Sequence, residues 1–175
     1  MAQREALKEL QTRLAARLQE AKTQDVAVAS WLAVQSGQHQ YLLPLAQSGE
    51  IFPWSGVQSV PYTQPWFLGV ANLRGTLTGV VDLGGLLGAV PARAEQALLE
   101  SSLLALNAAL EVNAALLVDR LIGLRSAQAF VASEPPGDGA PAYFGTTYID
   151  AQGMRWQELN LQALSRHPAF LSISA

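Results

Sequence analysis

The sequence predicts an all-β protein, a pair of small barrels with a few short helices, preceded by one longer helix. Three observations carry that expectation. After residue 25, short apolar runs recur, each bounded by Gly, Pro, Asn or Asp, the pattern of buried strands separated by tight turns. Charge is sparse: 14 % of the 175 residues are charged and 50 % are hydrophobic, against about 25 % charged in ordinary soluble domains. Helical spacing is confined mainly to the first two dozen residues and gives way to strand spacing beyond them. A chain of this length is expected to form one domain, or two halves sharing a core.

The elements follow in order. Residues 1–24 carry five basic and three acidic side chains, a local charge of +2, while the rest carry six basic and eleven acidic, or −5. Leu7, Leu10, Leu14 and Leu18 recur at helical spacing, which predicts an amphipathic helix with a favourable Glu9–Arg13 pair. It either lies on its own domain or serves as a docking or self-association helix; the leucine seam is short for a coiled coil. The remaining residues, 25–175, form the second unit. Val26 to Gln35 and His39 to Ala46 flank a glycine turn at Gly37, and Glu50 to Phe52 is a short strand broken by Pro53. Ala71 to Arg74 and Leu77 to Leu83 pair around Gly75-Thr76, followed by a brief helical turn to Gly88. Residues 89–97 read as a surface connection. Strands follow at Ser102 to Leu106, Ala114 to Val118 and Leu121 to Leu124, then a Pro/Gly-rich loop over Ser133 to Pro141. Tyr143 to Asp150 and Met154 to Glu158 form a hairpin, and a helix over Leu159 to Arg166 stops at Pro168. The stretches 26–90 and 98–165 have similar strand counts, without internal repetition of sequence.

Residue types that make bonds are scarce. The chain has no cysteine and two histidines, His39 and His167, so thiolate metal sites are excluded and no histidine pair has ligand spacing. Neither a nucleophile elbow nor a phosphate-binding loop is present. The expectation is therefore no enzyme, no metal and no cofactor. A net charge of −3 gives no electrostatic reason for a nucleic-acid or anionic membrane partner. The start lacks a signal-peptide core and no run reaches a membrane span, so a cytoplasmic protein is expected. Asp82, Asp119 and Asp150 each end an apolar run, where turn capping is the ordinary role and paired-carboxylate catalysis the alternative. Trp31, Trp66 and Trp156 are expected in the core, whereas Trp54, in a Pro/Ser/Gly loop, is a candidate contact residue.

Glu50 and Arg74 are the only charged residues between Asp25 and Asp82. A lone arginine among strands needs a carboxylate or a partner, and Glu50 is the acid available nearby. The pair either braces the fold or sits in a protein interface, setting register and partner choice.

Several strings resemble a known family. Tyr41-Leu42-Leu43-Pro44-Leu45, Glu50-Ile51, Gly69-Val70-Ala71-Asn72-Leu73-Arg74-Gly75, Val80-Val81-Asp82-Leu83 and Ala115-Leu116-Leu117-Val118-Asp119-Arg120 are similar, in that order and spacing, to CheW-like domains. The leading helix looks like the PilI-type branch found in type IV pilus chemosensory systems. The resemblance implies two SH3-like five-stranded barrels on a shared apolar core. It implies a non-enzymatic adaptor between the cytoplasmic tip of a chemoreceptor and the regulatory domain of a CheA-type histidine kinase, controlling twitching motility. Partner contact would fall on Glu50 and Arg74, with Ser48, Phe52 and Asn72 beside them. A flagellar chemotaxis adaptor and a small-ligand-binding barrel are the alternatives. Gly84-Gly85, Gly79 and Ser48-Gly49 depart from the family pattern.

Overall fold

A computed structural model describes residues 2–23, 30–88 and 93–175. The chain opens with α1 (Ala2–Thr23), then β1 (Trp31–Ser36), β2 (His39–Pro44), β3 (Ser48–Pro53), β4 (Phe67–Leu73) and β5 (Thr76–Asp82). Two short helices, α2 (Leu83–Leu86) and α3 (Glu95–Leu99), lead to β6 (Ser102–Leu106), β7 (Ala114–Val118) and β8 (Arg120–Arg125). The end of the chain supplies β9 (Phe130–Glu134), β10 (Phe144–Asp150), β11 (Arg155–Leu159), α4 (Leu161–Arg166) and α5 (Pro168–Leu171). The expected strand start at Val26 and residues 89–92 of the expected connection lie outside the described residues.

The strands form two sheets, ordered β8-β1-β2-β11-β10-β9 and β3-β6-β7-β5-β4. Leaving aside β9, the two have the same plan. Reading β8-β1-β2-β11-β10 and β3-β6-β7-β5-β4, each runs antiparallel, antiparallel, parallel, antiparallel. The chain fills them unevenly: the second sheet takes the central strands β3 to β7, and the first combines β1 and β2 with β8 to β11. The expected division into 26–90 and 98–165 is therefore wrong. The middle of the chain forms one unit, and its two ends meet across the parallel β2–β11 pair to form the other.

Closed five-stranded barrels are not what forms. The first sheet has six strands, and among the described residues the outer strands of neither sheet pair with each other. Side chains nevertheless show the first sheet to be curled. The rings of Trp31 on β1 and Phe130 on β9 lie 6.0 Å apart, although three strands separate their positions in the sheet. Tyr148, Trp156 and the buried Ala33 and Leu42 complete this aromatic filling. Sequence patterning missed β9, whose residues are largely exposed, because an edge strand packed through one ring leaves little alternation to read.

Adjacent residues in the central strands are buried together: Ala33 and Val34, Leu42 and Leu43, Val80 and Val81, Leu103 and Leu104, Leu116 and Leu117. Successive side chains point to opposite faces, so both faces of each sheet are covered. Leu32, Val34, Leu43, Leu104, Leu116 and Val118 share the layer between the sheets. Ala71, Leu73, Val80, Leu103 and Leu117 fill the far face of the second sheet. Three apolar layers thus alternate with two sheets.

A buried ionic cluster ties the sheets together. The Arg93 side chain, 5 % exposed, donates through Nε and Nη2 to both carboxylate oxygens of Asp82 at 2.9 and 2.8 Å. Its third nitrogen pairs with Asp119, which also accepts the Gly37 N–H from the β1–β2 turn. One guanidinium therefore holds the ends of β5 and β7 in one sheet and a hairpin tip of the other. Arg93 corrects the expectation of a surface connection there. Asp82 also accepts from the Gly85 N–H at the start of α2, so capping is only part of its role. Asp150 acts as expected for a turn, accepting from the Gln152 and Met154 N–H groups and from Trp156 Nε1. Desolvation opposes its charge, but these bonds and the nearby Arg125 outweigh it and hold the carboxyl below its usual range. Pro168 does not simply stop a helix: it begins α5, with His167 Nδ1 accepting the Ala169 N–H.

Leu7, Leu10 and Leu14 on α1 are 62 %, 61 % and 54 % exposed, so these three leucines do not lie on the domain; the Leu18 side chain lies outside the described residues. The Glu9–Arg13 pair forms at 3.6 Å.

Two outcomes check this architecture by denaturant unfolding. Leu116→Ala, in the layer between the sheets, is expected to cost about 2–5 kcal/mol, whereas Leu77→Ala, 67 % exposed, stays within about 0.5 kcal/mol. Arg93→Ala strands two carboxylates and is expected to cost about 3–5 kcal/mol; an unchanged midpoint would remove the clasp from the account.

Candidate functional site

Beside the seam of the second sheet lies a groove of about 760 Å³. Its buried lining comes from Leu32 of the first sheet and from Leu73, Leu106 and Ala114 of the second. Leu45, Phe52 and Val112 are half-buried along it, and Ile51 and Leu124 stand at 42 % and 38 % exposure. Polar lining comes from Ser48, Glu50, Thr76, Thr78, Asn107 and Asn113. Glu50 is the single ionisable residue among these groups.

Local geometry places Glu50. The β3–β6 register shifts between Ser48 and Ile51, a bulge that re-aims the strand. Gly49 permits it, since a Cβ there would meet the Ala105 carbonyl oxygen at 2.8 Å. The departure at Ser48-Gly49 thus has a packing reason: β3 runs hard against β6.

Arg74 is placed by a two-residue turn. Arg74 and Gly75 have φ of 50° and 80°, the paired positive angles of a type I′ hairpin, and Asn72 Oδ1 accepts the Gly75 N–H at 2.8 Å. The tip carries the Arg74 guanidinium onto the Glu50 carboxylate, forming an ion pair. Glu50 lies on β3 and Arg74 follows β4, the two outer strands of the sheet. The pair therefore spans the seam that backbone hydrogen bonds leave open.

The five expected partner-binding residues come together unequally. Glu50 and Arg74 meet, and their side chains remain 45 % and 76 % exposed. Phe52 lines the groove while packing against the outer core of the sheet. Asn72 is exposed but spends its carbonyl on the turn. Ser48 lines the groove and is 8 % exposed, its hydroxyl donating to the Pro44 carbonyl at 2.9 Å. Trp54, read as a contact residue, is half-buried and packs into that same outer core. Sequence reasoning missed Leu32, Leu45, Val112 and Leu124. They look like ordinary strand and turn residues, and only the packing of two sheets brings them to one groove. Among the described residues no group of three or more His, Asp or Glu could hold a metal, and no described helix is long and apolar enough to cross a membrane.

An exposed ion pair contributes little stability. Arg74→Ala is therefore expected to shift unfolding free energy by less than about 1 kcal/mol, read by urea titration; a larger loss would make the pair a structural brace first.

Comparison with known proteins fits this geometry. The family model described as CheW-like domain matches residues 30–169. The chain is 30 % identical over 159 residues to the protein PilI of Pseudomonas aeruginosa, covering 86 % of this chain and 84 % of that one. It is 31 % identical over 61 residues to a probable chemotaxis protein CheW of Rhizobium etli, covering 35 % of this chain and 39 % of the relative. The crystal structure of the scaffolding protein TtCheW from Thermoanaerobacter tengcongensis superposes with a TM-score of 0.66 at 18 % identity, covering 81 % of this chain and 95 % of that one. With the strings around Glu50, Arg74 and Asp82 lying inside the matched span, the chain belongs to the CheW-like domain family.

Proposed function

We propose that this protein is a non-enzymatic adaptor of a chemosensory system, joining the cytoplasmic tip of a chemoreceptor to the regulatory domain of a CheA-type histidine kinase. The observation that carries the reading is the apolar groove with an exposed Glu50–Arg74 pair at its edge. An apolar trough suits the ridge of a helical hairpin, and a charged pair at the edge selects register and rejects wrong partners. Output through type IV pili is favoured over flagellar output by the extent of likeness. The likeness to PilI covers 86 % of the chain, that to the Rhizobium CheW 35 %. A small-ligand site is less well supported, because the groove is open and its polar groups do not converge on one point.

The test is binding of a purified receptor-tip fragment and a kinase regulatory domain to the full chain. Arg74→Ala and Glu50→Lys are each expected to weaken receptor-tip binding by about tenfold or more with unfolding midpoints little changed. The exchanged pair, Glu50→Arg with Arg74→Glu, separates the two roles of these residues. If they only bridge the seam, the exchange restores binding; if they face the receptor, it does not. Wild-type binding by both single variants would defeat the site.

A further inference from the structure

The side chains of Leu7, Leu10 and Leu14 lie on one face of α1 and are all more than half exposed, an apolar ridge without cover in this structure. The chain enters the domain beside the groove. The Ser30 N–H donates to the Arg125 carbonyl and the Ser30 carbonyl accepts from the Leu45 N–H, both at 3.0 Å, and Leu45 and Leu124 line the groove. Six residues, 24–29, separate Thr23 from Ser30. Thr23 and Ser30 are therefore at most about 25 Å apart,, more than the ~10–12 Å width of a helix, so the helix can turn back over the groove.

Charge favours the same arrangement. The first 24 residues carry +2 and the rest −5. Glu50 in the groove lining is already paired with Arg74, whereas exposed Glu111 precedes Val112 at the groove edge. Two α1 helices from separate copies would instead bring like net charges together.

We propose that α1 docks into the groove of its own chain through Leu7, Leu10 and Leu14. The helix then competes with the partner that uses the groove; that consequence rests on the receptor-docking reading, whereas the docking itself does not.

The chain has no native cysteine, so a cross-link reads the contact cleanly. Leu10→Cys with Thr76→Cys in the full chain, treated with a short bis-maleimide at low protein concentration, is expected to yield an intramolecularly closed monomer. Adding Leu7→Lys and Leu14→Lys should abolish the closed species. Cross-linked dimers would assign the ridge to a second copy and overturn the proposal. So would a lack of closed monomer, or a yield indifferent to the lysines. In parallel, Leu7→Lys with Leu14→Lys in an otherwise unaltered chain is expected to bind the receptor-tip fragment about three- to tenfold tighter, by freeing the groove. Closed monomer without receptor binding by either chain would sink the receptor reading and leave the docking intact.

Discussion

Coverage of both faces of both sheets is the constraint on which the rest depends. A sheet solvated on one side alternates apolar and polar residues. These central strands cannot, because one face meets the layer between the sheets and the other meets the curled interior of its own unit. That explains the runs of adjacent apolar residues and the low charge. It also leaves the buried ionic cluster at strand ends and the Glu50–Arg74 pair at a seam.

Two ionic features show how differently such groups act. Arg93 is buried, bidentate on Asp82 and bonded to Asp119, so its removal leaves desolvated carboxylates without a partner. Glu50 and Arg74 keep exposed side chains, and exposed ion pairs in general contribute little to stability. The first cluster sets how the two sheets sit together. Since the groove takes Leu32 and Leu124 from one sheet and most of its remaining lining from the other, its shape depends on that setting. The second pair lies where two outer strands fail to hydrogen-bond, leaving carboxylate and guanidinium accessible at the groove.

Much of the site was legible in the sequence, for a physical reason. Glu50 and Arg74 were conspicuous because a long charge-free stretch leaves each no other nearby partner, and they do pair. Gly75 marked a turn, but the sequence put it at Gly75-Thr76; the structure turns at Arg74-Gly75, because Arg74 adopts a positive φ of 50° that residue preference does not favour,. Arg93 gave no such signal. It follows a proline in a connection of surface-like composition, and its partners lie 11 and 26 positions away in sequence. The clue available is the two aspartates ending apolar strands, Asp82 and Asp119, for which turn capping is the ordinary role,. Trp54 divides its surface: flanked by turn formers it reads as a contact residue, and in the structure it is half-buried, packed against the outer core.

By itself the sequence determined most of the strands, though not β9, together with the leading helix, the family strings and the identity of the charged pair. These are properties of local pattern, written in neighbouring residues. The tertiary structure alone decided that the central strands form one unit while the two ends of the chain complete the other. It also decided that the sheets stay open at their edges, that Arg93 is buried, and that Leu32, Leu45, Val112 and Leu124 share a groove. Each of these turns on non-local strand pairing or on packing between sheets, where the energy is gained by residues far apart in the chain and leaves no periodic mark along it.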